Sequence, residues 1–159
     1  MDIMEQNIDL VTIREFEAPD KERVQVFFHQ MGGETRAFFD RGNGNQRGAL
    51  GFFEGTDKNV VRWLAIDQER MVGYVFLFEL DYDVPWLGIA VAEDFKGRHL
   101  GRRLMQTAHE YARTHHKGGV LLTTHVANIR GQGLYERLGY ERLGMHSTGE
   151  VLYLLRFKS

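Results

Sequence analysis

The segment Trp86–Met105 constrains the fold more than any other part of the chain, because it joins an apolar run to a basic turn and a helical pattern. Residues 86–92 are almost wholly apolar, which predicts a central strand buried on both faces of a sheet. Gly88 inside that strand indicates a bulge or a close approach by another group. Leu100 and Leu104 then fall at helical spacing. The segment therefore predicts a strand, a turn and a helix whose N-terminus faces the end of the strand.

The turn between the strand and the helix is rich in glycine and positive charge. It reads KGRHLGRR over residues 96–103. Glycines let the backbone approach an anion closely, and a helix N-terminus offers free N–H groups and a positive dipole end. These properties favour a phosphate or pyrophosphate site, although a solvated charged connection would look similar. Two common nucleotide-binding loops are excluded, because the chain lacks both the G-x-x-x-x-G-K-[ST] motif and a G-x-G-x-x-G motif opening a helix after a strand.

The run VAEDFKGRHLG, from Val91 to Gly101, resembles the pyrophosphate loop of the GCN5-related N-acetyltransferase (GNAT) family, whose pattern is [RQ]-x-x-G-x-[GA]. Lys96 stands where the basic run begins, and His99 replaces a glycine of the family pattern. The resemblance implies that the chain binds acetyl-CoA (CoA) through this loop and the preceding strand. The implied cofactor-binding residues here are Ile89, Ala90, Val91, Lys96, Gly97, Arg98, His99, Leu100, Gly101 and Arg102.

A second segment, NIRGQGLYERLGY from Asn128 to Tyr140, resembles the family pattern N-x-x-[AG]-x-x-x-Y followed by a Gly-[YF] pair. Asn128 and Tyr135 lie two helical turns apart and thus on one face of a helix. From the residues alone, Asn128 could be a plain helix cap and Tyr135 a core tyrosine. The resemblance implies that both bind CoA, that Tyr135 is catalytic and protonates the departing thiolate, and that Asn128 orients the pantetheine arm or Tyr135.

The group that removes a proton from the amine is indicated less directly. The resembled family often places a carboxylate early in its fourth strand, where this chain has Pro85–Trp86. Asp83 is the nearest acid that lies two residues from Pro85, so that both side chains would point to the same face of a strand. We therefore assign Asp83 as the candidate catalytic base. A solvated loop acid and a base acting through a water chain are the alternatives. The developing oxyanion also needs a donor, for which a main-chain N–H of residues 89–91 is the candidate.

The remaining pattern predicts a single acetyltransferase domain over residues 1–159, of the α/β (α+β) class. Strands are predicted over residues 8–16, 59–67, 71–80, 86–92, 120–126, 140–145 and 150–158, and helices over residues 19–33, 34–40, 100–117 and 128–138. The resemblance implies a GNAT-like mixed sheet of about seven mostly antiparallel strands. Helices should cover both faces, and strands 4 and 5 should splay apart.

The most turn-rich stretch, Arg41–Gly48, is predicted to be a surface loop, with a substrate-side lid as the alternative. In the resembled family this region borders the acceptor site. The candidate wall residues there are Phe38, Phe39, Phe52 and Phe53.

Composition excludes several classes of function. A net charge of −2 gives no electrostatic case for binding nucleic acid or a membrane surface, and the absence of cysteine excludes thiolate chemistry. The chain has neither an apolar run of membrane length nor the features of a signal peptide, so a cytoplasmic location is expected. His109 and His116 share a helix face, but no further ligand has convincing spacing, so no metal site is predicted.

The sequence therefore predicts an N-acetyltransferase that moves an acetyl group from acetyl-CoA directly to a primary amine, with a small molecule as acceptor. A peptide N-terminus or protein lysine is the alternative acceptor, and a noncatalytic acyl-CoA-binding module is the alternative from another class. A homodimer is a further expectation, formed by the final strand as an exposed edge.

Overall fold

The computed structural model describes residues 10–31, 46–55 and 58–157, except for the side chains of residues 46–48. The strands are β1 (Thr12–Glu15), β2 (Val60–Asp67), β3 (Arg70–Phe78), β4 (Trp86–Val91), β5 (Gly119–Thr124), β6 (Glu141–Met145) and β7 (Val151–Arg156). The helices are α1 (Lys21–His29), α2 (Gln46–Glu54), α3 (Leu100–Thr114) and α4 (Ile129–Arg137). Over the described ranges, no helix combines the length and apolar character that crossing a membrane requires.

One seven-stranded sheet runs in the order β1-β2-β3-β4-β5-β7-β6. Every neighbouring pair is antiparallel except β4 and β5, which are parallel. This confirms the predicted mixed, mostly antiparallel sheet. Side chains alternate across it, so Val75 and Leu77 pack beneath α3, whereas Tyr74 and Phe76 pack beneath α1 and α2. Helices thus cover both faces, as predicted.

The second helix differs from the prediction. Their glycine-rich context predicts a loop at residues 46–48, but these residues begin α2. Ala49 is fully buried, and Phe53 stacks on Phe16 with ring centroids 5.9 Å apart. Burial of this apolar face outweighs the local turn propensity, which is why the loop prediction is wrong here. The predicted helix over residues 34–40, Phe38, Phe39 and most of the predicted loop lie outside the described residues.

The final strand is not an edge, so this part of the dimer prediction is wrong. β7 lies between β5 and β6 and hydrogen-bonds to both. Its side chains Val151, Tyr153 and Leu155 are buried in the core, which explains why the chain turns back into the sheet. Among the described strands, β1 and β6 form the edges. A homodimer stays a prediction, but the final strand does not provide the exposed edge for it.

β4 and β5 separate soon after they meet. Their only ladder pair among the described residues is Trp86 with Leu121, whose N–H donates to the Pro85 carbonyl at 2.9 Å. On the other side of β4, Ala92 N–H donates to β3. Because backbone groups alternate in direction along a strand, Ile89 and Val91 point their N–H and C=O groups toward the gap. The predicted splay is therefore present, and it leaves one edge of β4 open.

Candidate active site

A cavity of about 750 Å³ opens at the splay. It has three walls: the open edge of β4, the loop that leads into α3, and the end of β5 with the first turns of α4. The predicted site residues that line it are Ile89, Ala90, Val91, Lys96, Gly97, His99, Gly101, Arg102, Asn128 and Tyr135. The structure thus brings together residues from two motifs that are separated in the chain by α3 and β5.

Two predicted cofactor-binding residues lie in the loop or helix without lining the cavity. Leu100 is fully buried in the core beneath α3. Arg98 places its guanidinium 5.6 Å from the ring centroid of Phe95, which is itself fully buried. These contacts anchor the loop to the core, and the assignment of Arg98 and Leu100 as cofactor-binding residues stays a prediction.

Asp83 also lies away from the cavity lining, beside the start of β5. Its carbonyl accepts a hydrogen bond from Gly118 N–H at 2.9 Å. A Cβ atom at Gly118 would lie 2.3 Å from the Asp83 carboxylate, so a larger residue there would push this carboxylate aside. Lys117 adds to this junction by donating to the carbonyls of Leu80 and Tyr82. Asp83 therefore has a structural role in this junction, and its assignment as the general base stays a prediction.

The loop enters α3 through a left-handed residue. His99 precedes the helix with φ of 67°, and Gly97 has φ of 78°. Only glycine adopts such angles without strain, which explains why the family pattern has glycine where this chain has His99. The first N–H groups of α3, from Leu100 to Arg102, have no carbonyl one turn back within the helix. They are available, with the positive helix end, for an anion in the cavity.

Positive charge dominates the cavity lining. Among the described residues that line it, Glu93 is the one carboxylate, and it is paired with Lys96 at 3.1 Å. Arg102 lies in the first turn of α3, and Arg130 lies in the first turn of α4. A cation at a helix N-terminus is unfavourable unless an anion lies nearby, because the helix dipole is positive there. Two such cations on one cavity fit the phosphates of CoA.

Arg130 was missed by the sequence interpretation. Its guanidinium reaches across to the loop, where a Cβ atom at Gly97 would lie 3.9 Å from Nη1. One signal in the sequence could have indicated it. Arg130 follows the helix cap Asn128 by two residues, and the N-terminal end of a helix disfavours cations. The family pattern leaves this position unspecified, so the resemblance gave no help.

Tyr135 lines the cavity and belongs to a small hydrogen-bond network. The Thr124 hydroxyl hydrogen-bonds to the Tyr135 phenol and accepts from Asn128 Nδ2 at 2.9 Å. Asn128 Oδ1 accepts from Gly131 N–H at 3.1 Å, which confirms that Asn128 caps α4. Burial raises the pKa of Tyr135 to about 12, against the weaker lowering effect of the Thr124 hydrogen bond. The phenol is therefore protonated at neutral pH and can donate its proton to a basic leaving group.

His109 is placed away from this chemistry. It is buried, and its Nε2 hydrogen-bonds to the Tyr140 hydroxyl at 2.7 Å. His116 lies beyond the end of α3 and is exposed. Within the described ranges, no three His, Cys, Asp or Glu residues group in a way that would hold a metal ion.

The sequence that carries both motifs matches a known family. The family model described as the acetyltransferase (GNAT) family matches residues 15–140. The chain belongs to the GNAT family. As a GNAT protein it is assigned as an acyl-CoA-dependent N-acetyltransferase, and the two motif resemblances found in the sequence are confirmed at the level of the family.

Solved structures show the same fold. The GNAT domain of S. lividans PAT is 16% identical, with a TM-score of 0.81 over 92% of this chain and 90% of that chain. The paia N-acetyltransferase from Thermoplasma acidophilum in complex with coenzyme A is 12% identical, with a TM-score of 0.73 over 92% and 99%. The ribosomal-protein-S5-alanine acetyltransferase from Vibrio fischeri is 11% identical, with a TM-score of 0.74 over 92% and 91%.

Replacing His99 with glycine is expected to raise the free energy of unfolding by about 1 kcal/mol, because the left-handed conformation strains any residue with a Cβ atom. Affinity for CoA should be retained, since the position serves the backbone path of the loop. Urea unfolding and titration calorimetry measure the two quantities. His116→Gly is the matched control, because His116 has φ of 60° at the exposed end of α3. Loss of CoA affinity in His99→Gly alone would contradict this account and assign a contact to the imidazole.

Proposed function

We propose that this GNAT protein transfers an acetyl group from acetyl-CoA to the primary amine of a small molecule, by direct transfer in a ternary complex. One observation carries the proposal: a cationic loop, an open strand edge and a protonated buried tyrosine meet at a single cavity. Binding of the cofactor needs the first two features, and acyl transfer needs the third as well.

Different walls of the cavity would hold different parts of acetyl-CoA. The free N–H groups at the start of α3, with Arg102 and Arg130, suit the pyrophosphate and phosphate groups. The open edge of β4 at Ile89 and Val91 offers backbone donors and acceptors to the amides of the pantetheine arm, as a neighbouring strand would. When bound, acetyl-CoA supplies an acyl group activated as a thioester.

The chemical step needs charge stabilisation and two proton movements. A backbone N–H of β4 can donate to the thioester oxygen as negative charge develops there. Tyr135 can give its proton to the departing sulfur, because its raised pKa keeps it protonated at neutral pH. The attacking amine must first lose a proton, since an ammonium with a pKa near 10 has no free lone pair.

A peptide or protein amine is the second candidate acceptor. It is favoured by one observation, the shared fold with a Vibrio fischeri enzyme that is named for a ribosomal-protein alanine. The family and the fold are compatible with either class of amine, so the acceptor must be determined by assay.

The first test measures binding and turnover separately. Acetyl-CoA at 100 times its dissociation constant is expected to stabilise the fold by about 2.7 kcal/mol, measured by urea unfolding. Release of the CoA thiol is then followed with a panel of small primary amines and of peptides with free N-termini. Transfer to small amines supports the proposal, and transfer to peptides alone supports the second candidate. Binding without transfer to any member would show a noncatalytic acyl-CoA-binding module.

A further inference from the structure

Glu150, the residue immediately before β7, is a buried carboxylate that has no role in the site or the chemical step described above. Only 4% of the residue is exposed. Its Oε1 accepts a hydrogen bond from Thr123 Oγ1 at 3.0 Å, whereas Oε2 has no hydrogen-bond partner among the described residues. A buried polar atom without a partner costs free energy, so such a group calls for an explanation. Thr123 connects it to the active site, because Thr123 itself lines the cavity.

Thr123 and Glu150 lie on the face of the sheet opposite Tyr135. Along β5 and β7, Leu122 and Tyr153 belong to the core beneath α3 and α4. Thr123 follows Leu122, and Glu150 directly precedes the core residue Val151, so the side chains of Thr123 and Glu150 point to the other face. The cavity is thus bordered by a tyrosine on one face and by a carboxylate-bound threonine on the other. An amine that attacks from the face opposite Tyr135 meets this pair.

The hairpin that carries Glu150 also contacts the start of β4. His146 lies four residues before Glu150, and its ring is 5.8 Å from that of Trp86. The backbone N–H of His146 donates to the Glu150 carbonyl at 2.7 Å, which fixes the backbone of Glu150 relative to the ring contact. Trp86 stacks in turn on Phe78, whose side chain packs on the face with α1 and α2. The carboxylate is therefore held beside the point where β4 and β5 part.

We propose that Thr123 and Glu150 form the proton-accepting pair for the acceptor amine; this rests on the acetyltransferase function proposed above. Thr123 is the catalytic residue, because its hydroxyl faces the cavity and keeps lone pairs free to accept an N–H. Glu150 is a positioning residue that orients this hydroxyl and receives its proton. The substrate class is an amine that arrives as an ammonium ion, attracted by the buried carboxylate.

The protons balance over the reaction. The ammonium gives one proton to Thr123 Oγ1 as the Thr123 proton passes to Glu150, which leaves a neutral amine and a carboxylic acid. The nitrogen lone pair then forms the C–N bond, and the C–S bond breaks with its electron pair on sulfur. Tyr135 protonates that sulfur. The amide nitrogen loses a second proton to water, Tyr135 recovers one from water, and Glu150 returns its own to solvent, so one proton is released in all.

Neither Thr123 nor Glu150 belongs to the two segments that resemble the family patterns, Val91–Gly101 and Asn128–Tyr140. The family match ends at residue 140, ten residues before Glu150. The pair also differs from the assignment of Asp83, which lies at the Gly118 junction outside the cavity lining.

The test uses the full chain with acetyl-CoA and the amine that gives the fastest transfer in the panel. Glu150→Gln keeps an oxygen that accepts from Thr123 but cannot take a proton; Thr123→Val removes the hydroxyl. Both are expected to lower kcat/KM by about 10²- to 10⁴-fold at pH 7. The loss should shrink as pH rises and the amine deprotonates in solution, a dependence that a merely structural defect would not produce. Thr123→Ser should restore most of the rate.

Glu141→Gln is the matched control, because Glu141 is an exposed acid that pairs with Arg156 at the surface. It should behave as the unmodified protein, and calorimetry should give all variants the same affinity for acetyl-CoA. The pair is overturned if Glu150→Gln matches Glu141→Gln in rate and pH profile, or if Asp83→Asn alone shows the loss. If the unmodified protein binds acetyl-CoA but acetylates no amine, the proposed function fails first, and this proposal falls with it.

Discussion

Tyr135→Phe is expected to slow acetyl transfer by about 10²- to 10⁴-fold while leaving the affinity for acetyl-CoA nearly unchanged. Phenylalanine preserves the ring, which packs against Tyr140 and Tyr153 in the core. It removes only the hydroxyl that the Thr124 and Asn128 network holds beside the cavity. The thiolate would then have to leave without a proton donor. Calorimetry with acetyl-CoA and the rate of thiol release measure the two quantities on the same preparations.

Tyr153→Phe provides the control for this prediction. Its hydroxyl donates to Glu136 at 2.7 Å and does not line the cavity. We expect a modest loss of stability from that hydrogen bond, of about 1 kcal/mol, with no comparable loss of rate. Equal rates in both tyrosine variants and the unmodified protein would show that the leaving thiolate needs no acid. A fall in acetyl-CoA affinity that accounts for the whole effect of Tyr135→Phe would instead make Tyr135 a binding residue.

The second large effect concerns stability at acidic pH. Burial, assisted by the charge of Arg113, lowers the pKa of His109 to about 4. In the unfolded chain the same imidazole titrates near 6.5. Between these two pH values the unfolded state binds more protons, so the free energy of unfolding falls as the pH falls through this window. The difference in pKa corresponds to about 3 kcal/mol, present in full above pH 6.5 and lost by about pH 4.

Urea unfolding between pH 7.5 and pH 4 measures this loss. His109→Gln should flatten the pH dependence by roughly the same 3 kcal/mol, because glutamine does not titrate and its amide can still bond to Tyr140. His29→Gln is the control, since His29 is exposed on α1 and its variant should follow the unmodified protein. Parallel curves for His109→Gln and the unmodified protein would show that His109 is accessible to protons in the folded state.

Much of the fold could be predicted because its elements carry local signals. The apolar run of β4, the glycine-rich turn and the spacing from Asn128 to Tyr135 are all readable within about twenty residues. Each is dictated by burial, helix geometry or free backbone groups, which depend on near neighbours in sequence. The loop prediction is wrong at residues 46–48 because the helix there is stabilised by an apolar face that contacts Phe16, thirty or more residues earlier in the chain.

The rest of the site depends on contacts that no periodicity encodes. Glu150 reaches Thr123 only because β7 inserts between β5 and β6. Arg130 meets Gly97 only because α4 ends up across the gap from the loop. The spacing of Asp83 from Pro85 predicts the face to which its side chain points, but it does not predict how far Asp83 lies from the cavity. Long-range pairing thus determines which charged residues share the site, and a single sequence does not reveal that pairing.

Among the described residues β4 and β5 share one ladder pair, and this limits how the stability of the protein can be increased. The backbone N–H and C=O groups of Ile89 and Val91 face the gap without a β5 partner, and closing the gap would let them form ladder hydrogen bonds that stabilise the fold. The same closure would remove the groups that a cofactor needs. Variants selected for both heat resistance and activity should therefore carry their substitutions in the outer hairpins and in α1. The gap between β4 and β5 should stay unchanged.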